Sequence, residues 1–159
     1  MKIKALAMDV DGTLTDGGIY IGNDGEMMKR FCVKDGYAIN NMLPRMGIIP
    51  IIVTGRISHI VQARCIELGI TRIIQGSSNK TADLKNILAC ENIRMEEIAY
   101  IGDDMNDYEC MTQVGLKGCP QDAVEGIKEI ADYITKCEGG KGAVREFIEW
   151  IEKIEEKGR

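Results

Sequence analysis

Residues 3–15 read IKALAMDVDGTLT, a short apolar run that ends in two aspartates and a glycine. The run Ile3–Met8 is mostly apolar, as expected for a strand that is buried on both faces of a parallel sheet. Asp9 and Asp11 follow it closely, and ligands of such sheets bind beyond the carboxyl ends of the strands. This segment therefore predicts a parallel sheet with a polar site at its edge.

The rest of the chain alternates similar runs with helical patterns. Further strands are predicted at Ile48–Val53, Arg72–Ile74, Ile98–Ile101, Gly115–Gly118 and Asp132–Ile134. Apolar side chains spaced three and four apart predict helices around Ile39–Met46, Leu84–Leu88 and Val144–Ile151. Pro44 should kink or shorten the first of these helices. The expected fold class is α/β, a doubly wound, Rossmann-like, mostly parallel sheet with helices on both faces.

One segment interrupts the alternation of strands and helices. Residues 22–25 read GNDG and lie between two short apolar stretches, which predicts a β-hairpin over residues 17–31. The hairpin is too small to form a domain. With 159 residues and no linker, the chain is expected to form one domain, 1–159, ending in a tail segment at about 138–159.

Composition indicates which kinds of partner the protein binds and in which cell compartment it lies. The net charge of −5 argues against a nucleic-acid or anionic-membrane surface, but it leaves room for a local basic pocket that binds an anionic substrate. The six cysteines show no C-x-x-C spacing, and His59 is the only histidine, which disfavours a zinc cluster. With no signal peptide recognised, reduced cysteines and a cytoplasmic location are expected.

The two aspartates of the opening segment form the first chemical signal. Carboxylates two residues apart repel each other, and a bound divalent cation would relieve that repulsion. Such a pair suits phosphoryl transfer, in which Asp9 or Asp11 attacks phosphorus while the other serves as acid and then base. The alternative is an ordinary surface turn, because Asp and Gly are common turn residues.

Two further signals follow later strands or begin a helix. Thr54-Gly55-Arg56 ends the second apolar run and could hold phosphate oxygens, although Thr54 or Ser58 could equally cap a helix. Lys80 begins a helical stripe, where a cation is unfavourable unless an anion lies nearby. The alternative for Lys80 is a solvated surface lysine.

The fourth signal is Gly102-Asp103-Asp104-Met105-Asn106-Asp107, which follows the run Ile98–Ile101. Three carboxylates within five residues repel strongly without a cation, and Mg²⁺ prefers oxygen ligands. The alternative is a helix that begins with acidic residues, which the helix dipole favours.

In this order the four signals resemble the motifs of the haloacid dehalogenase-like phosphatase superfamily. The resemblance implies that Asp9 is the nucleophile and that Asp11 is the acid and base. It implies that Mg²⁺ is held by Asp9, the backbone carbonyl of Asp11, and Asp103. The remaining motif residues would bind the phosphoryl group (Thr54, Gly55 and Lys80) or support the metal's water shell and the lysine (Asp104 and Asp107).

A closer resemblance is to the 3-deoxy-D-manno-octulosonate 8-phosphate phosphatase family. The segments that match are 9–17, 34–36, 54–56, 75–76 and 139–146. The resemblance implies a role in lipopolysaccharide biosynthesis and a hairpin in place of a cap domain. It also implies a homotetramer in which neighbouring subunits roof each active site. The glycine-rich segment near Gly139 would be a mobile strap over the site, and a plain hinge is the alternative.

The substrate implied by this resemblance is an acid sugar phosphate, whose carboxylate and phosphate need polar and cationic partners. The candidate residues are Arg56, Arg64, Asn106 and Arg145. The alternative substrate is 2-keto-3-deoxynononate 9-phosphate, but enzymes for that substrate carry Glu where this chain has Arg56.

Two other classes of protein stay open from the sequence. A phospho-accepting signalling module uses similar residues but places its phosphorylated Asp after the third strand, where this chain has Gln75-Gly76. A non-catalytic scaffold would lack a catalytic residue, and none of the motif residues is missing.

Overall fold

The computed structural model describes residues 2–158. Six strands form one sheet: β1 Ala5–Met8, β4 Ile49–Val53, β5 Arg72–Ile74, β6 Ile98–Ile101, β7 Leu116–Cys119 and β8 Tyr133–Ile134. Their order is β5-β4-β1-β6-β7-β8, and every neighbouring pair is parallel. Two further strands, β2 Tyr20–Gly22 and β3 Gly25–Met28, pair antiparallel as a separate hairpin. The predicted α/β fold class and its hairpin insert are therefore confirmed.

Between residues 2 and 158, seven α-helices connect or follow the strands: α1 Val33–Tyr37, α2 Leu43–Met46, α3 His59–Glu67, α4 Lys80–Cys90, α5 Met105–Met111, α6 Glu125–Lys128 and α7 Ala143–Lys157. A 3₁₀ turn, Met95–Glu97, precedes β6. Helices α3, α5 and α6 had no predicted stripe, because each is short or buries only a few side chains.

Pro44 does not end its helix. The helix continues through Pro44 to Met46 and stops at Gly47, whose φ of 71° is left-handed. A π-helical turn, Ala38–Met42, joins α1 to α2 immediately before the proline. Pro lacks an N–H and its ring crowds the carbonyl four residues back, and a widened turn accommodates both defects. The expected disruption is therefore a local change of helix type.

The core lies on both faces of the sheet. Along β1, Leu6 and Met8 join one buried cluster, while Ala5 and Ala7 join the other. The first cluster includes side chains of the helical segment 38–43, α3 and α7, and the second includes side chains of α4, α5 and α6. This alternation is what a strand covered by helices on both sides requires.

The sheet order reverses at β1. The chain runs from β1 out to β4 and β5, then returns through α4 to β6 on the other side of β1. Ligands of doubly wound folds bind at this switch point, beyond the carboxyl ends of the two strands. The loops that follow β1 and β6 therefore form the expected floor of a binding site.

Two further expectations concern the thiols and the membrane. All six cysteines are free, in keeping with the expected reduced thiols; Cys65, Cys110 and Cys119 are buried, whereas Cys90 is exposed. Within residues 2–158, no helix has both the length and the apolar character needed to span a bilayer.

Candidate active site

The loop after β1 is tied to the end of β6. The backbone N–H of Asp9 donates to the carbonyl of Ile101 at 3.0 Å, and Asp9 is only 3% exposed. Gly12 turns this loop with a φ of 90°, and a side chain there would collide with the carboxylate of Asp103. Thr13 Oγ1 donates to Asp103 Oδ1 at 2.9 Å. Glycine and threonine thus bring two distant aspartates together.

Three carboxylates and one lysine meet at this point. Oxygens of Asp9, Asp103 and Asp107 lie within 4.8 Å of one another. Lys80 Nζ, at the start of α4, lies 2.8 Å from Asp9 Oδ1 and 2.7 Å from Asp107 Oδ1. Lys80 is 5% exposed, so it is not a solvated surface lysine.

The charges of this cluster do not balance. Burial, followed by the charge of Asp107, raises the pKa of Asp9 well above its ordinary value, and Lys80 opposes that shift. Burial likewise raises the pKa of Asp103 to about 6. Burial lowers the pKa of Lys80, but the nearby carboxylates of Asp9 and Asp107 outweigh it and raise the pKa. Asp9 must be ionised to attack phosphorus, and a divalent cation would favour that form.

The residues present fit Mg²⁺, which prefers carboxylate oxygens. Among residues 2–158, donors reach only Oδ1 of Asp9, from Lys80, and only Oδ1 of Asp103, from Thr13, so each carboxylate keeps an oxygen for a metal ion. Both oxygens of Asp107 accept hydrogen bonds. Asp107 accepts from Lys80, from the hydroxyl of Tyr100 at 2.7 Å and from the backbone N–H of Asp103 at 3.1 Å. It therefore anchors the lysine and the loop.

Tyr100 is part of this anchor and was not singled out from the sequence. It lies fully buried in β6, among apolar neighbours. A buried tyrosine hydroxyl needs a hydrogen-bond partner, so its place in an apolar strand was the available signal.

Asp104 and Asn106 lie at the start of α5 and are exposed. Asp104 is the N-cap residue of this helix, and its carboxylate accepts from the backbone N–H of Met105 at 2.7 Å. The alternative of a helix that begins with acidic residues therefore describes Asp104 in this structure.

Asp11 lies outside the three-carboxylate group and pairs with the hairpin. Lys29 Nζ lies 2.5 Å from Asp11 Oδ1, and the side chain of Lys29 is fully buried although β2–β3 is a surface hairpin. Sequence reasoning missed Lys29, because its partner lies on a different element.

The loop after β4 supplies the remaining phosphate-site candidates. Thr54 is 2% exposed, its N–H donates to Ile74, and its carbonyl accepts from Ser77. Its hydroxyl is the group left for a ligand. Gly55 and Arg56 are exposed beyond it, while Ser58 caps α3 by accepting from the N–H of Val61.

Two predicted substrate arginines are engaged elsewhere. Arg64 Nη1 donates to Glu67 at 2.7 Å, and its guanidinium lies 5.7 Å from the ring centre of Phe31. Arg145 Nε donates to Glu149 at 2.5 Å. Across residues 2–158, neither arginine pairs with the clustered aspartates of its own chain. The structure therefore does not bring them to this site.

The glycine-rich segment also departs from expectation, because it is docked rather than laid over the site as a mobile strap. The Gly140 N–H donates to the Thr13 carbonyl at 3.1 Å, and the Gly139 N–H donates to Asp122 at 2.9 Å. A Cβ on Gly139 would lie 1.9 Å from the Gly12 carbonyl oxygen. Only glycine permits this backbone contact, so the segment buttresses the loop after β1.

Comparison with known proteins places this geometry in a family. Residues 63–148 match the model for haloacid dehalogenase-like hydrolases. The chain is 46% identical over 150 residues to the 3-deoxy-D-manno-octulosonate 8-phosphate phosphatase of Escherichia coli K12, covering 94% of this chain and 79% of that protein.

Solved structures agree in fold and sequence. The Yersinia pestis 3-deoxy-D-manno-octulosonate 8-phosphate phosphatase superposes with a TM-score of 0.92 at 42% identity, covering 98% of this chain and 83% of that one. The Moraxella catarrhalis phosphatase, solved with magnesium, phosphate and 3-deoxy-D-manno-octulosonate (KDO), gives 0.90 at 42% identity, covering 95% and 86%. The resemblance predicted from the motifs is confirmed: the chain belongs to the haloacid dehalogenase-like hydrolases and, within them, to the family of these octulosonate phosphate phosphatases.

Proposed function

We propose that this protein is a Mg²⁺-dependent phosphatase that hydrolyses an acid sugar phosphate through an aspartyl-phosphate on Asp9. The observation that carries the proposal is the meeting of Asp9, Asp103 and Asp107 around Lys80 at the sheet's switch point. Buried, unbalanced carboxylates beside one lysine suit a site that binds a cation and a phosphoryl group together.

In the first step, Asp9 attacks phosphorus and the bond from phosphorus to the sugar oxygen breaks. Asp11 donates a proton to that leaving oxygen. Lys80 lies 2.8 Å from Asp9 Oδ1, so its ammonium can reach an oxygen of a phosphoryl group bonded to Asp9. Thr54 and Gly55 would hold the other phosphoryl oxygens, and the Thr54 hydroxyl has no partner among residues 2–158 that would compete for this role.

In the second step, a water molecule attacks phosphorus and gives its proton to Asp11, and the bond from phosphorus to Asp9 breaks. Phosphate leaves, and the carboxylate of Asp9 is restored. Bound Mg²⁺ would neutralise negative charge on the transferring group. The side chains of Asp9 and Asp103 and the backbone carbonyl of Asp11 would hold it, with Asp104 and Asp107 in support.

We propose 3-deoxy-D-manno-octulosonate 8-phosphate as the substrate, because the relatives named above act on it. Arg56 and Asn106 are exposed and adjoin the motif residues Gly55 and Asp107 in the chain, which supports a contact with the sugar acid. The alternative is 2-keto-3-deoxynononate 9-phosphate, whose enzymes carry Glu in place of Arg56. A role in lipopolysaccharide biosynthesis in the cytoplasm follows from the octulosonate substrate.

We also propose that residues 1–159 act as one unit that assembles into a homotetramer. The hairpin carries apolar side chains that are largely exposed in one subunit, including Ile21 at 71% and Met27 at 67%. Apolar residues exposed together favour a contact between proteins. The family resemblance implies that subunits packed in this way cover one another's active sites.

A phosphate-release screen over acid sugar phosphates with Mg²⁺ tests this function. Asp9→Asn should lose turnover by about three or more orders of magnitude while its circular dichroism spectrum stays unchanged. Full activity in Asp9→Asn would remove the nucleophile assignment. Steady release from p-nitrophenyl phosphate by the wild type would also exclude a signalling module, which holds its phosphate.

A second variant tests the substrate assignment. Arg56→Glu should weaken octulosonate phosphate turnover more than p-nitrophenyl phosphate turnover, because only the first substrate has a carboxylate to contact. Equal losses on both would remove Arg56 from the specificity argument.

A further inference from the structure

A chain of polar side chains links the hairpin to the loops at the sheet edge. Lys29 Nζ lies 2.5 Å from Asp11 Oδ1 and 3.6 Å from Glu26 Oε2. Glu26 Oε1 in turn accepts from Ser58 Oγ at 2.7 Å. The backbone N–H of Ser58 donates to Gln75 Oε1 at 2.8 Å. These contacts run without interruption from the loop after β1 to the loops after β4 and β5.

Burial distinguishes Lys29 from the rest of the hairpin. Its side chain is 0% exposed although the residue as a whole is half-buried, whereas Met27 and Met28 are exposed residues. Long charged side chains normally reach solvent, and they are fully buried only when they are paired. The hairpin therefore turns one cation inward, against the carboxylates of Asp11, the proposed acid and base, and of Glu26.

The pairing separates Asp11 from the other aspartates. The three-carboxylate group contains Asp9, Asp103 and Asp107 but not the side chain of Asp11. A charge-assisted hydrogen bond fixes direction as well as distance, so the ammonium of Lys29 can hold the Asp11 carboxyl in one orientation. Glu26 and Ser58 hold Lys29 in its turn, because Ser58 is fixed as the cap of α3.

We propose that Lys29 is the positioning residue of Asp11, so that the hairpin contributes to proton transfer within its own subunit. This inference rests on the proposed function, in which Asp11 protonates the leaving oxygen. Lys29 acts through Asp11 and needs no contact with the substrate.

The inference predicts an effect that depends on the leaving group. A sugar alkoxide needs a proton as it departs, whereas p-nitrophenolate leaves without one. Single-turnover assays with enzyme in excess isolate this first step. Lys29→Met should slow release of octulosonate from its 8-phosphate roughly 100-fold, within the range expected for a general acid. It should slow release of p-nitrophenolate by less than about threefold, with KM little changed for either substrate.

Two further variants keep the test independent of folding. Arg30→Met removes the neighbouring exposed cation and should leave both rates unchanged. If Lys29→Met does not fold, Glu26→Gln, which loosens Lys29 without removing it, should show a smaller loss with the same bias toward the sugar substrate. In a variant that already carries Asp11→Asn, adding Lys29→Met should slow the reaction of the sugar phosphate little further. The effects of two residues that act as a unit are not additive.

Failure of the proposed role of Lys29 and failure of the proposed phosphatase function give different results. Equal losses on the two substrates, or additive losses in the Asp11→Asn background, would overturn the role of Lys29 while leaving a working phosphatase. If the function itself is wrong, the wild type releases no phosphate and Asp9→Asn changes nothing.

Discussion

Replacing Lys80 by methionine tests the electrostatics of the site in the absence of substrate. Its side chain is 4% exposed and lies between Asp9 and Asp107, whose side chains are 5% and 0% exposed. Lys80→Met keeps much of the side-chain volume but leaves two buried carboxylates without their cation. Breaking a buried ion pair in this way costs about 3–5 kcal/mol.

That cost predicts a measurable shift in melting temperature. For a chain of 159 residues, about 1 kcal/mol moves Tm by roughly 2–4 °C, so Lys80→Met should melt about 6–20 °C below the wild type. The measurement is thermal unfolding by circular dichroism at pH 8 in EDTA. Lys85→Met is the matched control, because Lys85 is an exposed lysine on the same helix.

The pH dependence sharpens this test. Lowering the pH towards 5 should shrink the deficit of Lys80→Met, because protonation removes the repulsion that the missing lysine no longer balances. A variant that melts within about 2 °C of the wild type at pH 8 would refute the reasoning, since the carboxylates would then not depend on Lys80 for their charge balance.

Two other predictions use buried groups near the site. Burial raises the pKa of the Asp35 carboxyl from 3.8 to about 6, so the folded state binds this proton more tightly than the unfolded state does. Its contribution to stability should therefore fall by about 3 kcal/mol as the pH rises from about 4 to 7, at roughly 1.4 kcal/mol per pKa unit. Asp35→Asn should flatten that fall in urea titrations at pH 4 and pH 8, and an unchanged pH dependence would contradict the assignment to Asp35. Gly139→Ala should push the loop after β1 out of place, because its Cβ would lie 1.9 Å from the Gly12 carbonyl oxygen. We expect at least about a tenfold loss of kcat and a lower Tm, and full activity would show that the segment yields without disturbing the loop.

Much of the fold could be predicted because buried parallel strands have a simple pattern. The runs ending at Met8, Val53 and Ile101 are apolar on both faces and stand out from their neighbours. Helix α3 could not be predicted in the same way, because it buries only Val61 and Cys65 on one narrow face. Its other side chains meet solvent and carry no periodic signal.

The part of the site that could be predicted is the part whose residues come directly after buried strands. Asp9 and Asp103 were placed correctly beside each other because β1 and β6 are neighbours at the switch point. Lys29 was missed because its partner depends on how the hairpin folds back over the sheet. The same limit applies to Arg64 and Arg145, since a lone arginine carries no sequence signal for the surface that it faces.

The packing of the glycine-rich segment against the loop after β1 could not be predicted from the sequence for a related reason. Glycines predict freedom of the backbone, which suits a mobile strap and a close backbone contact equally well. Only the position of Gly139 against the Gly12 carbonyl distinguishes the two.

The central claim is that Asp9 bonds to phosphorus beside a cation held by acidic side chains from distant parts of the chain. A crystal structure with Mg²⁺ and beryllofluoride, a mimic of a phosphoryl group on aspartate, tests it most directly. The account predicts beryllium bonded to an Asp9 oxygen, with Mg²⁺ bound by Asp9, Asp103 and the Asp11 carbonyl. Beryllium on another carboxylate, or Mg²⁺ bound away from Asp9 and Asp103, would contradict it.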